Sequence, residues 1–221
     1  MKIADGIHQV EGVNCNVYLV EDGDKLILID TGLPRNGKKI LKAIKELGRK
    51  PEDVTTIIIT HFHIDHIGNL KKMKQATNAK VAAHELDADY IAGSRPAPKP
   101  KNLMFKVFAS VLKADPVDVD IKLKDNDKVG RLTVVFTPGH SEGSISLYDP
   151  ERKVMFVGDA VRFMDGKMQG PPEGFTLDPQ KGKESIGYIA TFNFDIMLSG
   201  HGQPLMCEAS KKVKEFYATL K

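Results

Sequence analysis

Twice along this chain the same plan is written out: two β-type runs joined by a polar turn, a terminal aspartate, a helical stretch, and an apolar strand that delivers a histidine. The first copy opens with 17-VYLVEDGDKLILIDTG-32, where a turn containing Asp22 and Gly23 separates two strand-like runs, a hairpin signal, and the second run ends on Asp30. In 36-NGKKILKAIKELG-48 the residues Ile40, Leu41, Ile44 and Leu47 fall at helical spacing, with Gly48 as the stop. The strand 54-VTTIIIT-60 then leads into His61. The second copy opens with 144-SISLYDPERKVMFVGDA-160 and its Asp159, continues through the helical 181-KGKESIGYIATF-192, and closes with 195-DIMLS-199, Gly200 and His201. The letters differ between the copies; what recurs is the order of elements.

Two further strands lie between the copies: 80-KVAAH-84, and 129-VGRLTVVFTPGH-140, which ends at a Pro-Gly turn and His140. Strands this continuously apolar need cover on both faces. The expectation is therefore an α/β (α+β) chain folded as a four-layer αββα sandwich, two mixed β-sheets with helices outside, in one domain spanning residues 1–221. Such a sandwich gathers its strand ends, and with them the histidines, at one edge. Residues 85–120 read as an insertion. Its 95-RPAPKPK-101 is a solvated loop, and Met104, Val107, Phe108 and Val111 of 102-NLMFKVFASVLK-113 form an apolar helical stripe. Packing on the sheet, a lid over the strand ends, and a contact in a homodimer are the three uses open to it.

Composition narrows the class. Hydrophobic residues at 41% and charged residues at 28% are ordinary globular values and argue against a disordered or fibrous chain. No apolar run approaches a membrane span, and MKIADGIHQVEG carries no apolar segment of a secretory signal, so cytoplasmic residence without membrane contact is expected. The two cysteines, Cys15 and Cys207, are far apart and form no CxxC pair, which argues against a structural disulfide and excludes a cysteine zinc site. A net charge of +3, from 32 basic and 29 acidic residues, is too small to point to nucleic acid.

Histidine is scarce, at 7 residues, yet three of them and an aspartate crowd into 60-THFHIDHIG-68. His61 and His63 are two apart, so on extended backbone both side chains project the same way and can grip one ion. Asp65 and His66 begin a segment with helix character from Leu70 onward and point elsewhere. Imidazole nitrogen and carboxylate oxygen are standard donors to zinc and also suit iron or manganese. His140, Asp159 and His201, each at a strand end or a glycine-flanked turn, are the distant groups available to complete a metal shell.

Through 28-LIDTG-32, 60-THFHIDHIG-68, 137-TPGHSEGS-144, 157-VGDA-160 and 199-SGHG-202 the chain resembles the metallo-β-lactamase-fold hydrolases. That resemblance implies two divalent metal ions, zinc first, with His61, His63 and His140 on one, Asp65, His66 and His201 on the other, and Asp159 bridging both. Asp30 resembles the family's buried aspartate behind a ligand imidazole, and it also suits a plain strand-end cap. Two such ions stand about 3.5 to 4 Å apart and lower the pKa of a shared water from about 15.7 toward about 7, so hydroxide becomes available to attack a carbonyl or phosphoryl centre. Asp65 is the residue best placed to orient that nucleophile and shuttle its proton, and is the expected catalytic acid–base.

Within the family the resemblance lies toward glyoxalase II and lactonases rather than secreted β-lactamases, which usually carry a signal peptide and a cysteine where this chain has Asp159. Glyoxalase II adds a C-terminal helical domain, whereas only 208-EASKKVKEFYATL-220 follows the last metal ligand here; lactonases place a tyrosine where this chain has Arg162. The Gly/Pro loop from Arg162 to Phe175 directly follows a ligand and is expected to line the pocket, with Arg162 and Phe163 as substrate contacts. The reading is a hydrolase of a small-molecule ester, thioester or lactone. A phosphodiesterase or nuclease of the same fold, a mononuclear iron enzyme of sulfur or oxygen redox chemistry, and a non-catalytic metal-stabilised binding protein remain as alternatives.

Overall fold

A computed structural model describes residues 1–98 and 113–220. Its backbone contacts divide the chain into two units, Met1–Lys122 and Leu123–Lys221, so each copy of the recurring plan falls in its own unit. The apolar stripe read at Met104, Val107, Phe108 and Val111 lies outside the described residues.

In the first unit the hairpin is β3 (Tyr18–Asp22) and β4 (Lys25–Ile29), registered from Tyr18 opposite Ile29 to Asp22 opposite Lys25. That register leaves Gly23 and Asp24 as a two-residue turn. The chain returns through helix α1 (Gly37–Glu46), whose Ile40 and Ile44 face inward, and Gly48 follows at φ +71°. β5 (Val54–Ile59) then lies parallel to β4. Helices α2 (Ile64–Ile67) and α3 (Leu70–Thr77) lead to β6 (Lys80–His84), parallel to β5, and α4 (Glu85–Ile91) follows at once. The full sheet runs β1-β2-β3-β4-β5-β6-β7, where β1 is Lys2–Ala4, β2 is Ile7–Gln9 and β7 is Ile121–Leu123. Leu26, Leu28, Ile57, Ile59, Val81 and Ala83 from the central strands pack with Ile40, Ile44, Leu70 and Met73 from the helices. Parallel strands covered by helices need apolar residues on consecutive positions, and for that reason 54-VTTIIIT-60 and 80-KVAAH-84 lack a strict alternation.

The second unit repeats this connectivity. β8 (Lys128–Val129) and β9 (Leu132–Phe136) precede the hairpin β10 (Ile145–Asp149) and β11 (Val154–Gly158). Helix α5 (Pro179–Ile189) leads to β14 (Ile196–Ser199), parallel to β11, and the sheet order is β14-β11-β10-β9-β8. Asp178 caps α5 by accepting from the Lys181 N–H at 3.0 Å, with Pro179 in the first turn. Val157, Ile186, Ile189, Phe194, Met197 and Val213 form the core here, the last from helix α6 (Ala209–Thr219). The β10–β11 turn is locked by charge. Burial alone would raise the Asp149 carboxyl, but hydrogen bonds from the Arg131 side chain and the Arg152 N–H, with both guanidinium charges, hold it below the usual carboxylate range.

Two mixed sheets with helices are the fold class expected from the sequence. One local expectation needs correcting. The stretch from Arg162 to Phe175 is more than a loop: Arg162–Met164 (β12) and Lys167–Gln169 (β13) pair as a separate two-stranded hairpin, and Glu173–Phe175 form a 3₁₀ turn. Asp165 and Gly166, at φ +51° and +75°, supply the left-handed pair that a tight hairpin turn requires. Among the described residues no helix is long and apolar enough to cross a membrane.

Candidate metal centre

The first unit presents its donors just past the end of a parallel strand. β5 stops at Ile59, the chain stays extended to His63, at φ −66° and ψ 149°, and the single turn α2 then carries Asp65 and His66. Helix onset thus falls earlier than Leu70, and this is what brings His66 back toward the strand end. The His61 ring lies 4.8 Å from His63 and 3.9 Å from His66, centroid to centroid, so the three imidazoles share one side of the loop. Phe62, between them in sequence, is buried in the core cluster of this unit.

Hydrogen bonds fix which nitrogen each ring presents. Asp30, 1% exposed, accepts from the Thr60 N–H at 2.8 Å, from the Thr60 hydroxyl at 2.8 Å and from His66 Nδ1 at 2.8 Å. With its proton given to Asp30, the Thr60 hydroxyl accepts from His61 Nδ1 at 3.1 Å. In both rings Nδ1–H is thereby committed to the protein, and Nε2 carries the lone pair a metal needs. Asp30 is therefore both of the things its sequence allowed, a buried strand-end carboxylate and the group that sets a tautomer. Asp65 Oδ2 stands 3.8 Å from His66 Nε2, and its side chain is 28% exposed.

The second unit gathers the other three donors. His140 follows the Pro138–Gly139 turn, Asp159 comes directly after β11, and His201 follows β14 and Gly200. The Thr176 hydroxyl donates to the Pro172 carbonyl at 2.8 Å, so it accepts from His140 Nδ1 at 3.3 Å and leaves Nε2 as the donor atom of that ring as well. Asp159 Oδ2 lies 3.5 Å from His140 Nε2 and 3.6 Å from His201 Nε2. These gaps exceed a good hydrogen bond. They match the edge of a tetrahedron of nitrogen and oxygen donors around a zinc-sized ion, about 3.3 Å for metal–ligand bonds of about 2.0 to 2.1 Å. The donors thus fit a divalent ion in atom type throughout, in tautomer at His61, His66 and His140, and in spacing around Asp159.

Arg162 and Phe163 sit on the β12–β13 hairpin. Arg162 Nε donates to the Gly170 carbonyl at 3.1 Å, and the Phe163 ring packs on the core cluster of the second unit. The Phe163 carbonyl accepts from the Gln203 N–H at 2.8 Å, which ties the hairpin to the turn after His201. Three participants escaped the sequence reading. Thr60 is inside the motif, yet its link between Asp30 and His61 needs β4 and β5 side by side. Asp87 accepts from the Phe62 N–H at 3.0 Å across 25 positions of sequence. Cys15 Sγ lies 3.4 Å from His66 Nδ1, and burial pushes its thiol up to about 12.

Residues 10–201 match the model of the metallo-beta-lactamase superfamily. The chain belongs to that superfamily and, with it, to the metal-dependent hydrolases. It is 26% identical to the probable metallo-hydrolase YflN of Bacillus subtilis, over 91% of this chain and 86% of that protein. It is also 29% identical to the human acyl-coenzyme A thioesterase MBLAC2, over 72% of this chain and 64% of the relative, so the match leaves about a third of that enzyme uncovered. Among solved structures, BJP-1, a subclass B3 metallo-beta-lactamase of Bradyrhizobium japonicum, superposes with a TM-score of 0.73 at 26% identity, covering 100% of this chain and 89% of that one. The expected distance from the secreted β-lactamases accordingly finds only loose support.

Proposed function

We propose that the two donor sets complete one binuclear centre, zinc first and iron or manganese as its substitutes, that hydrolyses a small thioester, with esters and lactones in the same class. His61, His63 and His140 hold one ion, Asp65, His66 and His201 the other, and Asp159 is shared. The observation that carries this reading is the tautomer set: the Nδ1 positions of His61, His66 and His140 all have oxygen partners, which aims three Nε2 lone pairs outward. The similarity to an acyl-coenzyme A thioesterase supports the thioester within the class.

Two divalent ions supply a water of lowered pKa and a Lewis acid for the carbonyl oxygen. The chain's own residues do the rest. Thr60 and Asp30 keep the rings from rotating, so the donors are set before substrate arrives. Asp65 takes the proton of the attacking water and returns it to the leaving sulfur or oxygen as the acyl bond breaks. Cytoplasmic residence and a small-molecule substrate without nucleic acid belong to the same proposal.

A hydrolysis panel of thioesters, esters, lactones, phosphodiesters and β-lactams, run on metal-replete protein beside His63→Ala, tests it. Thioesters should turn over fastest and His63→Ala should fall to background. Preferred cleavage of phosphodiesters or β-lactams overturns the substrate class. One redox-active iron per chain with oxygen consumption overturns hydrolysis, and no turnover in any arm leaves a metal-stabilised binding protein.

A further inference from the structure

The amide that joins the first two proposed ligands is held by a buried acid. Asp87, 1% exposed, lies in the first turn of α4 and its Oδ2 accepts from the Phe62 N–H at 3.0 Å. Phe62 is the one residue between His61 and His63, so the rotation of its backbone sets the angle at which the two imidazoles converge. The same residue is held from its side chain. Its ring stacks on Tyr90 of α4 at 4.5 Å with planes 26° apart, and meets the edge of His63 at 4.8 Å. Arg95, just beyond α4, places its guanidinium 4.4 Å over the Tyr90 ring. Arg95, Tyr90, Phe62 and His63 thus follow one another ring to ring, with Asp87 fixing the backbone beneath.

We infer that α4 is a clamp that sets the bite of His61 and His63, and that Asp87 is its positioning residue. A carboxylate is a costly group to bury, and it is retained where it holds a buried donor. A neutral acceptor there would make a weaker bond to the same amide. An apolar residue would leave the amide buried and let the loop turn, so the two imidazoles would converge on a different point. The effect of Asp87 on the centre passes through the Phe62 N–H. The stack on Tyr90 is the second half of the clamp: it resists at the side chain the rotation that the hydrogen bond resists at the backbone.

This inference rests on the proposed metal centre, and its test reads metal uptake rather than turnover. Metal-free full-length protein is titrated with cobalt(II) against a chelator of known affinity, and the visible absorption bands of the bound ion are recorded for wild type, Asp87→Asn, Asp87→Ala and Tyr90→Leu. Asp87→Ala should weaken binding about 10- to 100-fold and change the bands. Asp87→Asn, which keeps an oxygen acceptor, should recover most of the loss, and Tyr90→Leu should fall between them. Exchange of the Phe62 N–H, followed by NMR without metal, should be slow in wild type and Asp87→Asn and fast in Asp87→Ala. If Asp87→Ala fails to fold, the order of wild type, Asp87→Asn and Tyr90→Leu decides, and equal affinity with unchanged bands in those three overturns the clamp. Folded Asp87→Ala binding cobalt as wild type does overturns the clamp alone. Wild-type protein that takes up no metal overturns the hydrolase reading and the clamp together.

Discussion

Asp30 and Asp159 occupy the same place in two units of the same connectivity, directly beyond the second strand of a hairpin whose parallel partner delivers a histidine. They are used differently. Asp30 is itself the left-handed residue, at φ +60°, and its carboxylate turns onto Thr60 and His66 at hydrogen-bond distance. In the second unit the left-handed residue is Gly158, at φ +48°, one position before the acid. Asp159 accordingly faces the Nε2 atoms of His140 and His201 across gaps of 3.5 and 3.6 Å, too wide for a good hydrogen bond. Moving the backbone kink by one residue converts an acid that holds an imidazole by its Nδ1 into an acid that faces the Nε2 atoms of two imidazoles.

Exchanging the readout should break the apparent equivalence of the two. Asp30→Ala strands the Thr60 N–H and the His66 Nδ1–H in the core and should cost about 3 to 5 kcal/mol of metal-free stability in urea unfolding. Asp159→Ala should cost metal-free stability less than Asp30→Ala does, because its Oδ2 stands 3.5 and 3.6 Å from His140 and His201 where Asp30 accepts three bonds at 2.8 Å. Its loss should appear in metal uptake and exceed the 10- to 100-fold expected of a group acting behind a ligand. A metal-free Asp159→Ala as unstable as Asp30→Ala would make the two acids equivalent after all.

Much of this was legible in the sequence, and for a physical reason. The recurring order of hairpin, aspartate, helix, strand and histidine depends on local periodicity and on residues such as Gly48 that stop a helix whatever surrounds it. The spacing of His61 and His63 carried over into the structure because extended backbone has a period of two even past the end of a strand. The β12–β13 hairpin was within reach as well, since Asp165-Gly166 between short apolar-polar runs is a turn signal, one masked by the glycines and prolines that follow it. Asp87 was not legible. Its partner is a backbone N–H on another element, and nothing in 85-ELDADYI-91 distinguishes the buried acid from Glu85 or Asp89. The division of labour between Asp30 and Asp159 was hidden for the same reason, because it turns on a torsion angle rather than on a residue type.

Glycines sharpen the contrast between the two units at a smaller scale. Gly202, next to His201, has φ +91°, and a Cβ there would stand 2.3 Å from the Phe163 carbonyl oxygen and 2.7 Å from Met164 Cγ. Gly23, in the first hairpin turn, has φ +65° and nothing within 4 Å of an added Cβ. Gly202→Ala therefore pushes the β12–β13 hairpin off the turn as well as straining the backbone, and should cost about 2 to 4 kcal/mol. Gly23→Ala meets only the left-handed strain and should cost about 1 kcal/mol in the same urea measurement. Equal losses would mean that the hairpin does not bear on the turn that carries His201.

The smallest effect concerns the two thiols, one in each unit: Cys15 is buried and Cys207 is exposed. Burial raises the Cys15 thiol from an ordinary 9.0 to about 12, with the nearby Asp30 and Asp65 charges pushing the same way and His66 pulling against them. The folded state therefore favours the neutral thiol. Its contribution to stability is complete below about pH 9 and is lost as pH rises toward 12, because only the unfolded chain can release the proton over that interval. Between pH 7 and pH 10 the loss should be about 1.4 kcal/mol in metal-free protein. Cys15→Ala removes that part of the alkaline decline and keeps the part due to Tyr148 and Tyr188, whose phenols burial also raises, so the two urea-unfolding series should converge as pH rises. Cys207→Ala should leave the series parallel to wild type. If Cys15→Ala also stays parallel, the thiol ionises as readily in the folded protein as in the unfolded chain, and the packing of Cys15 against His66 is looser than 3.4 Å implies.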